Sequence, residues 1–376
     1  MADCLAVGFL INSFRLGGAE TVFATDSAYL SGLGITVYGI TLEESSHPLN
    51  DINAYNLHSK RKNFLQTAIN SLQTAIKLSQ YIRAKGITHL YVTLDRAIMI
   101  ALFAKLLNRN FRLIVRESRI YYYKPWYLRW IDKILSNLVD QYVAVSSAVK
   151  DSMPQSFLQR SSKVTVLTNG VKERAQRDNY HSEVVNLVTL ANLRPIKRID
   201  LVIQAFGRLS DAFPSLNLMI VGSGLAESSL KSLARAQPGA NRVQFLGQLT
   251  RQQIDLIYQS PSVFVLASDD EGCPNALLEA MAHGLPCVGS DAKGVAEVLD
   301  HGRAGALFER GSVDSLVSTL LRVLHSSQYR RQLGNTGFLH SKTCYSEQQH
   351  FAELERVLFP EGLPVSVSCS NIVKDI

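Results

Sequence analysis

Short apolar runs alternate with longer helical stretches along most of the 376 residues, and that rhythm leaves few folds open. Leu5–Ile11, Ile35–Leu42, Ile87–Thr93, Phe111–Arg116, Gln141–Val145 and Lys163–Leu167 read as strands. Ala19–Ser31 reads as a helix. So does Phe64–Lys85, where Leu65, Ile69, Leu72, Ile76 and Ile82 fall at helical spacing before a stop at Gly86. Glu43–Arg61 is polar and reads as irregular. Short apolar strands separated by helices argue for a parallel sheet covered on both faces.

Val171–Glu183, with KERAQRDNYHSE at its centre, breaks the alternation and reads as a linker. A second series follows. Strands Val184–Leu190, Asn217–Val221, Val243–Leu246 and Ser262–Ala267 alternate with helices Arg198–Phe213, Ala226–Ala236 and Arg251–Gln259. A last helix spans about Ser346–Leu358, and Pro360–Ile376 reads as a loose tail. The predicted fold class is α/β, with two doubly wound, Rossmann-like domains whose carboxyl-end loops face each other across a cleft. The predicted domains are residues 1–181 and residues 182–345, with 346–376 placed with the first solely by resemblance to a known family.

A chain this long with 46% hydrophobic residues can bury two cores. Its five cysteines, at 4, 273, 287, 344 and 369, are scattered without a C-x-x-C pair. A disulfide framework or zinc site is not expected, and a reducing cytoplasm fits. The start MADCLAVGFL has no basic segment ahead of its apolar residues and reads as a first strand rather than a signal peptide. No apolar run approaches the ~20 residues that cross a bilayer, so a soluble or peripheral protein is expected. The net charge of +7 is uneven: residues 1–180 carry 22 Lys and Arg against 13 Asp and Glu, and the rest carry 17 against 19. The basic first half suits a phosphorylated acceptor, an anionic membrane surface or nucleic acid, or is an idle solvated surface.

Chemistry concentrates in Ser268–Gly289, SDDEGCPNALLEAMAHGLPCVG, directly after the apolar run Val263–Ala267. The segment lays out a buried strand, a polar Gly/Pro corner and a short helix. Pro274 suits the first helical turn, while Gly284 and Pro286 suit the stop. A helix start at a strand's carboxyl end offers unpaired N–H groups and a positive dipole end, which together hold phosphate. Ala276, Leu277, Ala280 and Met281 form a packing face. Asn275 and Glu279 share another face at i, i+4 spacing, from which a carboxylate can meet hydroxyl groups. An ordinary αβ corner with a solvated glutamate fits the same window.

EGCPNALLE resembles the E-x7-E signature of the retaining nucleotide-sugar glycosyltransferases of family 4, which have the two-domain GT-B fold. The continuation EAMAHGLPCVGSDAKGVAEVL is similar to that family's, including Gly294 and Glu297. The resemblance implies that Glu271 lies near the donor sugar and Glu279 holds the ribose hydroxyls. The backbone of Gly272, Cys273, Pro274, Asn275 and Ala276 would cover sugar and phosphate. It also implies that the last helix crosses back onto the first domain.

Two further segments carry the resemblance. Leu190–Arg198, LANLRPIKR, is similar to G-R-L-x-P-x-K-G, and Lys197 matches the lysine that neutralises the departing diphosphate. Asn192 stands where the family has arginine, and Arg194, two residues on, is the candidate replacement. GGAE after the first strand resembles the family's glycine-rich loop, which brings Gly17 and Gly18 to the donor diphosphate, with Glu20 capping or pairing. Read alone, the same glycines make a plain tight turn. Gly222, in GSG, marks a carboxyl-end turn, and RVQFLGQ with Gln244 and Phe245 resembles the segment whose backbone pairs with the base.

The resemblance implies same-face attack, with the departing phosphate taking the acceptor's proton. It implies no cofactor and no metal, and Asp269–Asp270 lacks a third ligand for a cation. On the acceptor side, LIVRESR resembles a branch of the family with Glu after the strand, so Arg116 or Glu117 orients the acceptor hydroxyl or phosphate or forms a cross-domain salt bridge. IYYYKPWYLRWIDKIL mixes aromatic and basic residues as membrane interfaces do. The favoured reading of its helix nevertheless packs Trp130, Ile131, Ile134 and Leu138 into the core. The expected partners are a nucleotide-sugar donor, a glycan or lipid-linked acceptor and an anionic membrane surface. Nucleic acid is set aside, because the basic residues form no single stripe. The rival enzyme reading is a GT-B sugar phosphorylase or nucleotide-sugar epimerase.

Overall fold

The computed structural model describes residues 5–13, 17–43, 54–58, 64–159, 164–175 and 186–363, with 64–69 described by backbone alone. Arg15 and Leu16 of the glycine loop, most of the linker reading and the tail beyond 363 lie outside these residues. The chain divides into two compact units, Met1–Thr168 with His350–Ile376, and Asn169–Gln349. The division falls just ahead of the polar stretch that begins at Val171, and the return falls inside the last helix.

The first unit runs β1 (Ala6–Ile11), α1 (Gly18–Gly32), β2 (Thr36–Thr41), β3 (Ala54–Asn56), α2 (Phe64–Lys85), β4 (His89–Thr93) and α3 (Asp95–Leu107). It continues through β5 (Arg112–Glu117), α4 (Trp126–Leu135), β6 (Gln141–Ala144), α5 (Ser147–Ser152), α6 (Gln155–Leu158) and β7 (Val164–Val166). All its strands pair in parallel, in the order β3-β2-β1-β4-β5-β6-β7. β3 lies in the stretch read as irregular. It is three residues long and mostly exposed, so it carries little of the apolar signal that marks a strand.

The second unit runs β8 (Asn186–Leu190), α7 (Ile199–Leu209), β9 (Asn217–Val221), α8 (Glu227–Arg235), β10 (Val243–Gly247), α9 (Arg251–Tyr258) and β11 (Ser262–Leu266). It continues through α10 (Asn275–Ala282), β12 (Cys287–Ser290), α11 (Lys293–Val298), β13 (Ala306–Phe308), α12 (Val313–His325) and α13 (Ser327–Cys344). α14 (Glu347–Leu358) begins here and ends in the first unit. The second sheet is also parallel, in the order β10-β9-β8-β11-β12-β13. Strand order reverses between β1 and β4 in the first sheet and between β8 and β11 in the second. At such switch points α/β proteins open a crevice at the strands' carboxyl ends.

The return of α14 to the first unit is built from specific contacts. Leu354, Val357, Leu358 and Phe359 join Phe9, Phe23, Tyr91 and Ile114 in one core. Phe351 stacks on Tyr29 with ring centroids 4.0 Å apart. His350 bridges the Thr168 carbonyl at 2.6 Å and the fully buried Asp26 carboxylate at 2.7 Å. The helix implied by resemblance to cross back does so. Among the described residues, no helix is long and apolar enough to cross a membrane.

Because Asp26 Oδ2 has no partner, His350 carries the only contact to the carboxylate among the described residues. His350→Leu is expected to lose on the order of 3 kcal/mol of stability in chemical denaturation, since it strands a buried carboxylate. A loss below about 0.5 kcal/mol would contradict that role.

Candidate active site

The second unit's switch point collects most of the candidate donor residues. The turn after β8 runs 191–198 and the turn after β11 runs 267–274, and a backbone bond from Asp269 N to Ile196 O (2.9 Å) ties them together. Pro195–Lys197 forms one 3-10 turn, closed by Arg198 in the left-handed region (φ 48°). Arg198 tolerates that conformation while its guanidinium grips Asp200 at 3.0 Å and Asp269 at 3.5 Å. The turn delivers the Lys197 ammonium to Glu271 Oε1 at 2.5 Å, and Ser268 Oγ donates to the same oxygen at 2.7 Å. Both side chains are mostly shielded, with 21% and 13% of their surface exposed. Asn192 and Arg194 are exposed, and Arg194 has no side-chain partner among the described residues.

Glycines let neighbouring backbones approach this pair. Gly222 sits at φ 122°, and a Cβ there would collide with the carbonyl oxygen of Ala191. Gly294, in the first turn of α11, is pressed against the carbonyl oxygens of Glu271 and Gly272. Its match to the family continuation therefore has a steric reason.

The helix of the signature segment ends as its sequence requires. Gly284 takes φ 76°, its N–H bonds Met281 O (2.8 Å), and Leu285 N bonds Ala280 O (3.0 Å), a Schellman stop. Pro274 stands at the N-cap, one residue before the first turn. The packing face uses Leu277, Leu278, Ala280 and Met281, all buried, whereas Ala276 is half-exposed. Gly272 and Cys273 are buried, and Asn169 Nδ2 holds the corner through Cys273 O (2.9 Å) and Asn275 Oδ1.

Glu279 meets a partner the sequence reading missed. Arg251, the first residue of α9, donates from Nη1 to Glu279 Oε1 at 2.5 Å. Burial pushes the Glu279 carboxyl above its usual range, and the guanidinium opposes that push. Behind the pair, Arg174 grips Asp255 bidentately at 3.0 Å, His283 lies 3.5 Å from Asp255, and Tyr258 donates to Ala276 O at 3.2 Å. The signal available in sequence was a cationic residue opening a helix after the carboxyl end of a strand. Gln244 is exposed and Phe245 half-buried on β10, an edge strand of the sheet.

In the first unit, Gly17 is extended (φ −163°) at the N-cap of α1, and the Glu20 carboxylate folds back against it. Gly18 is exposed in the first helical turn. Burial raises the Glu20 carboxyl. At the same switch point Leu94 is held at φ 73°, a strained position for a branched residue and one that sequence reading missed.

The acceptor candidates lie deeper than expected. Arg116 is 2% exposed and donates to Tyr91 Oη at 2.8 Å. Glu117 is equally buried and accepts from Lys124 Nζ at 2.7 Å, which also donates to Asp132 Oδ2 at 2.6 Å. The salt bridge that holds Glu117 joins residues of the first unit alone, so it is not the cross-domain bridge expected from sequence. Trp130 and Ile134 correct the core reading of α4: both are exposed, while Asp132 points inward.

Residues 16–174 match the Glycosyltransferase Family 4 model, and residues 172–340 match the Glycosyl transferases group 1 model. The chain is thus a glycosyltransferase of GT-B fold. It belongs to the family 4 glycosyltransferases, the family its signature segment resembles. An uncharacterized glycosyltransferase of Haemophilus influenzae is 25% identical over 89% of this chain and 94% of its own length. An N-acetylgalactosamine-N,N'-diacetylbacillosaminyl-diphospho-undecaprenol 4-alpha-N-acetylgalactosaminyltransferase of Campylobacter jejuni is 25% identical over 88% and 93%. Among solved structures, Anabaena HepE in complex with UDP-glucose superposes with a TM-score of 0.75 at 17% identity, covering 93% of this chain and 98% of that one.

Gly294→Ala is expected to displace the Glu271–Gly272 backbone and lower glycosyl transfer on the order of 100-fold. Circular dichroism should remain that of the folded protein, and wild-type turnover would refute the packing argument. Lys124→Met removes the one cation between two carboxyls that burial already raises. A raised carboxyl is stabilising while protonated, so its contribution is present below the ordinary carboxyl pKa and is lost as pH rises through the folded value. The variant should lose about 3–5 kcal/mol near neutral pH and less near pH ~4.5, in denaturation at both. An equal loss at both pH values would count against the cluster.

Proposed function

We propose that the enzyme is a retaining hexosyltransferase that takes its sugar from a nucleotide diphosphate donor, a UDP-sugar by preference. The acceptor is a hydroxyl of a glycan or lipid-linked glycan, in surface polysaccharide or glycolipid synthesis. The observation that carries this reading is the Lys197–Glu271 pair, fixed by two carboxyl-end turns at the switch point of the second sheet. An ammonium held there offsets negative charge that develops only as the sugar–phosphate bond breaks, which lowers the barrier rather than merely tightening binding.

In this mechanism the acceptor oxygen bonds the anomeric carbon on the face the diphosphate leaves. The bond from that carbon to the phosphate oxygen breaks, and the acceptor proton passes to the departing phosphate. Lys197 meets the diphosphate, and exposed Arg194 supplies a second cation in place of the arginine whose position Asn192 occupies. Glu271 orients the ammonium and borders the sugar. Glu279 receives the ribose hydroxyls, while the backbone of Gly272–Ala276 covers sugar and phosphate. No divalent metal enters these steps, because the cationic side chains answer the diphosphate charge. HepE was solved with UDP-glucose, and the Campylobacter relative's name gives a diphospho-undecaprenol-linked acceptor, which supports both substrate classes. The relatives are transferases, so the phosphorylase or epimerase alternative is not pursued.

Lys197→Ala is expected to lower kcat by about 10²–10³-fold. Glu279→Ala is expected chiefly to raise the donor KM, by on the order of 10–100-fold. A thermal-shift series with UDP-, GDP-, ADP- and dTDP-sugars should raise the wild-type melting temperature most with one UDP-sugar. Unchanged kinetics in both variants, with no nucleotide sugar stabilising the protein, would overturn the assignment.

A further inference from the structure

α4 is built inside out. Its inward side carries Leu128 and Asp132, the latter in the buried ion cluster with Lys124 and Glu117. Its outward side carries Trp126, Trp130 and Ile134, spaced i, i+4, i+8 and exposed by 71%, 66% and 61%. Tyr122 and Tyr123, in the 3-10 turn just before it, are exposed as well, as is Tyr127. Fourteen large apolar side chains are exposed among the described residues, and six of them lie between Tyr122 and Ile134. Singly exposed apolar residues are ordinary, but such clustering marks an interaction surface.

The chemistry of the patch selects its partner. Its aromatic residues are tryptophan and tyrosine, the two that settle where an apolar phase meets water. Arg129 and Lys133 flank the stripe, while the helix's one acid, Asp132, is turned away into the interior. Trp126, Trp130, Met153, Pro154 and Leu158 line a groove of about 740 Å3, with Arg129, Lys133 and a single acid, Asp151, on its walls. A second copy of the chain docking here symmetrically would set these basic residues against their own counterparts. An anionic bilayer accepts both halves of the pattern, rings and Ile134 at the acyl boundary and cations at the phosphates.

We propose that this face docks on an anionic lipid surface, with α4 lying in the interfacial plane. Lys124 is the anchor of the device: held by Glu117 at the end of β5 and by Asp132 of α4, it fixes the segment on the sheet. This inference does not depend on the donor-site assignments.

The two tryptophans of the chain, Trp126 and Trp130, both lie on the patch, so intrinsic fluorescence reports on it directly. The full-length protein is titrated with vesicles of phosphatidylcholine alone and of phosphatidylcholine mixed with phosphatidylglycerol. Expected are a blue shift, quenching by brominated lipid and cosedimentation with the anionic vesicles only, weakening as salt is raised. Arg129→Gln/Lys133→Gln, which keeps both fluorophores, should weaken anionic-vesicle binding at least ~10-fold. Trp126→Ser/Trp130→Ser/Ile134→Ser should abolish cosedimentation while circular dichroism and melting temperature report an intact fold. The proposal falls if anionic vesicles shift no emission, if neutral vesicles bind equally well, or if folded variants bind like wild type. It also falls if ultracentrifugation without lipid finds a dimer that buries the tryptophans.

Discussion

The second unit's site depends on one constraint of chain path. β8 and β11 lie side by side, yet the chain leaves β8 toward β9 and leaves β11 toward β12, on opposite sides. Two carboxyl-end turns are thereby left adjacent with no helix wedged between them, and the Asp269–Ile196 backbone bond holds them in register. The Lys197–Glu271 pair answers to that adjacency. Lys197 can reach Glu271 only because its 3-10 turn is pinned to the neighbouring one. The carbonyl-to-glycine contacts at Gly222 and Gly294 fill the space where side chains would force the turns apart.

Much of this was legible in residue order because the informative signals are local. A Gly at C′ followed by Pro ends α10 whatever surrounds it, and the alternation of apolar strand and helix marked six of the seven strands of the first sheet and four of the six of the second, missing β12 and β13. Glu271, Glu279 and Lys197 are singled out by the family resemblance of their segments; read alone, Lys197 is an ordinary surface charge and the corner an ordinary αβ turn. β3, three residues long at a sheet edge, buries too little to leave a pattern.

The Arg251–Glu279 pair was not legible, and the reason is geometric. α9 and α10 flank β11 in sequence, 28 residues separate the two charges, and neither helix carries a periodic mark that names its neighbour. Only the parallel crossover, which stacks successive helices on one face of the sheet, makes them neighbours, as the Tyr258–Ala276 and His283–Asp255 contacts attest. The same packing buries Glu279 and raises its carboxyl, while the Arg251 guanidinium opposes the rise.

α4 shows how one buried charge can overrule a hydrophobic pattern. Successive helical residues turn by about 100°, so positions two apart point to opposite sides. Once Asp132 faces inward to meet Lys124, Trp130 and Ile134, two residues to either side, must face out. Turning the helix the other way would bury Trp126, Trp130 and Ile134 but strand Lys124 and Glu117 in the interior without Asp132. Leaving a buried ion cluster incomplete costs several kcal/mol. The sequence reading weighed Trp130 and Ile134 by hydrophobicity alone, and the ion cluster decided the helix's rotation instead.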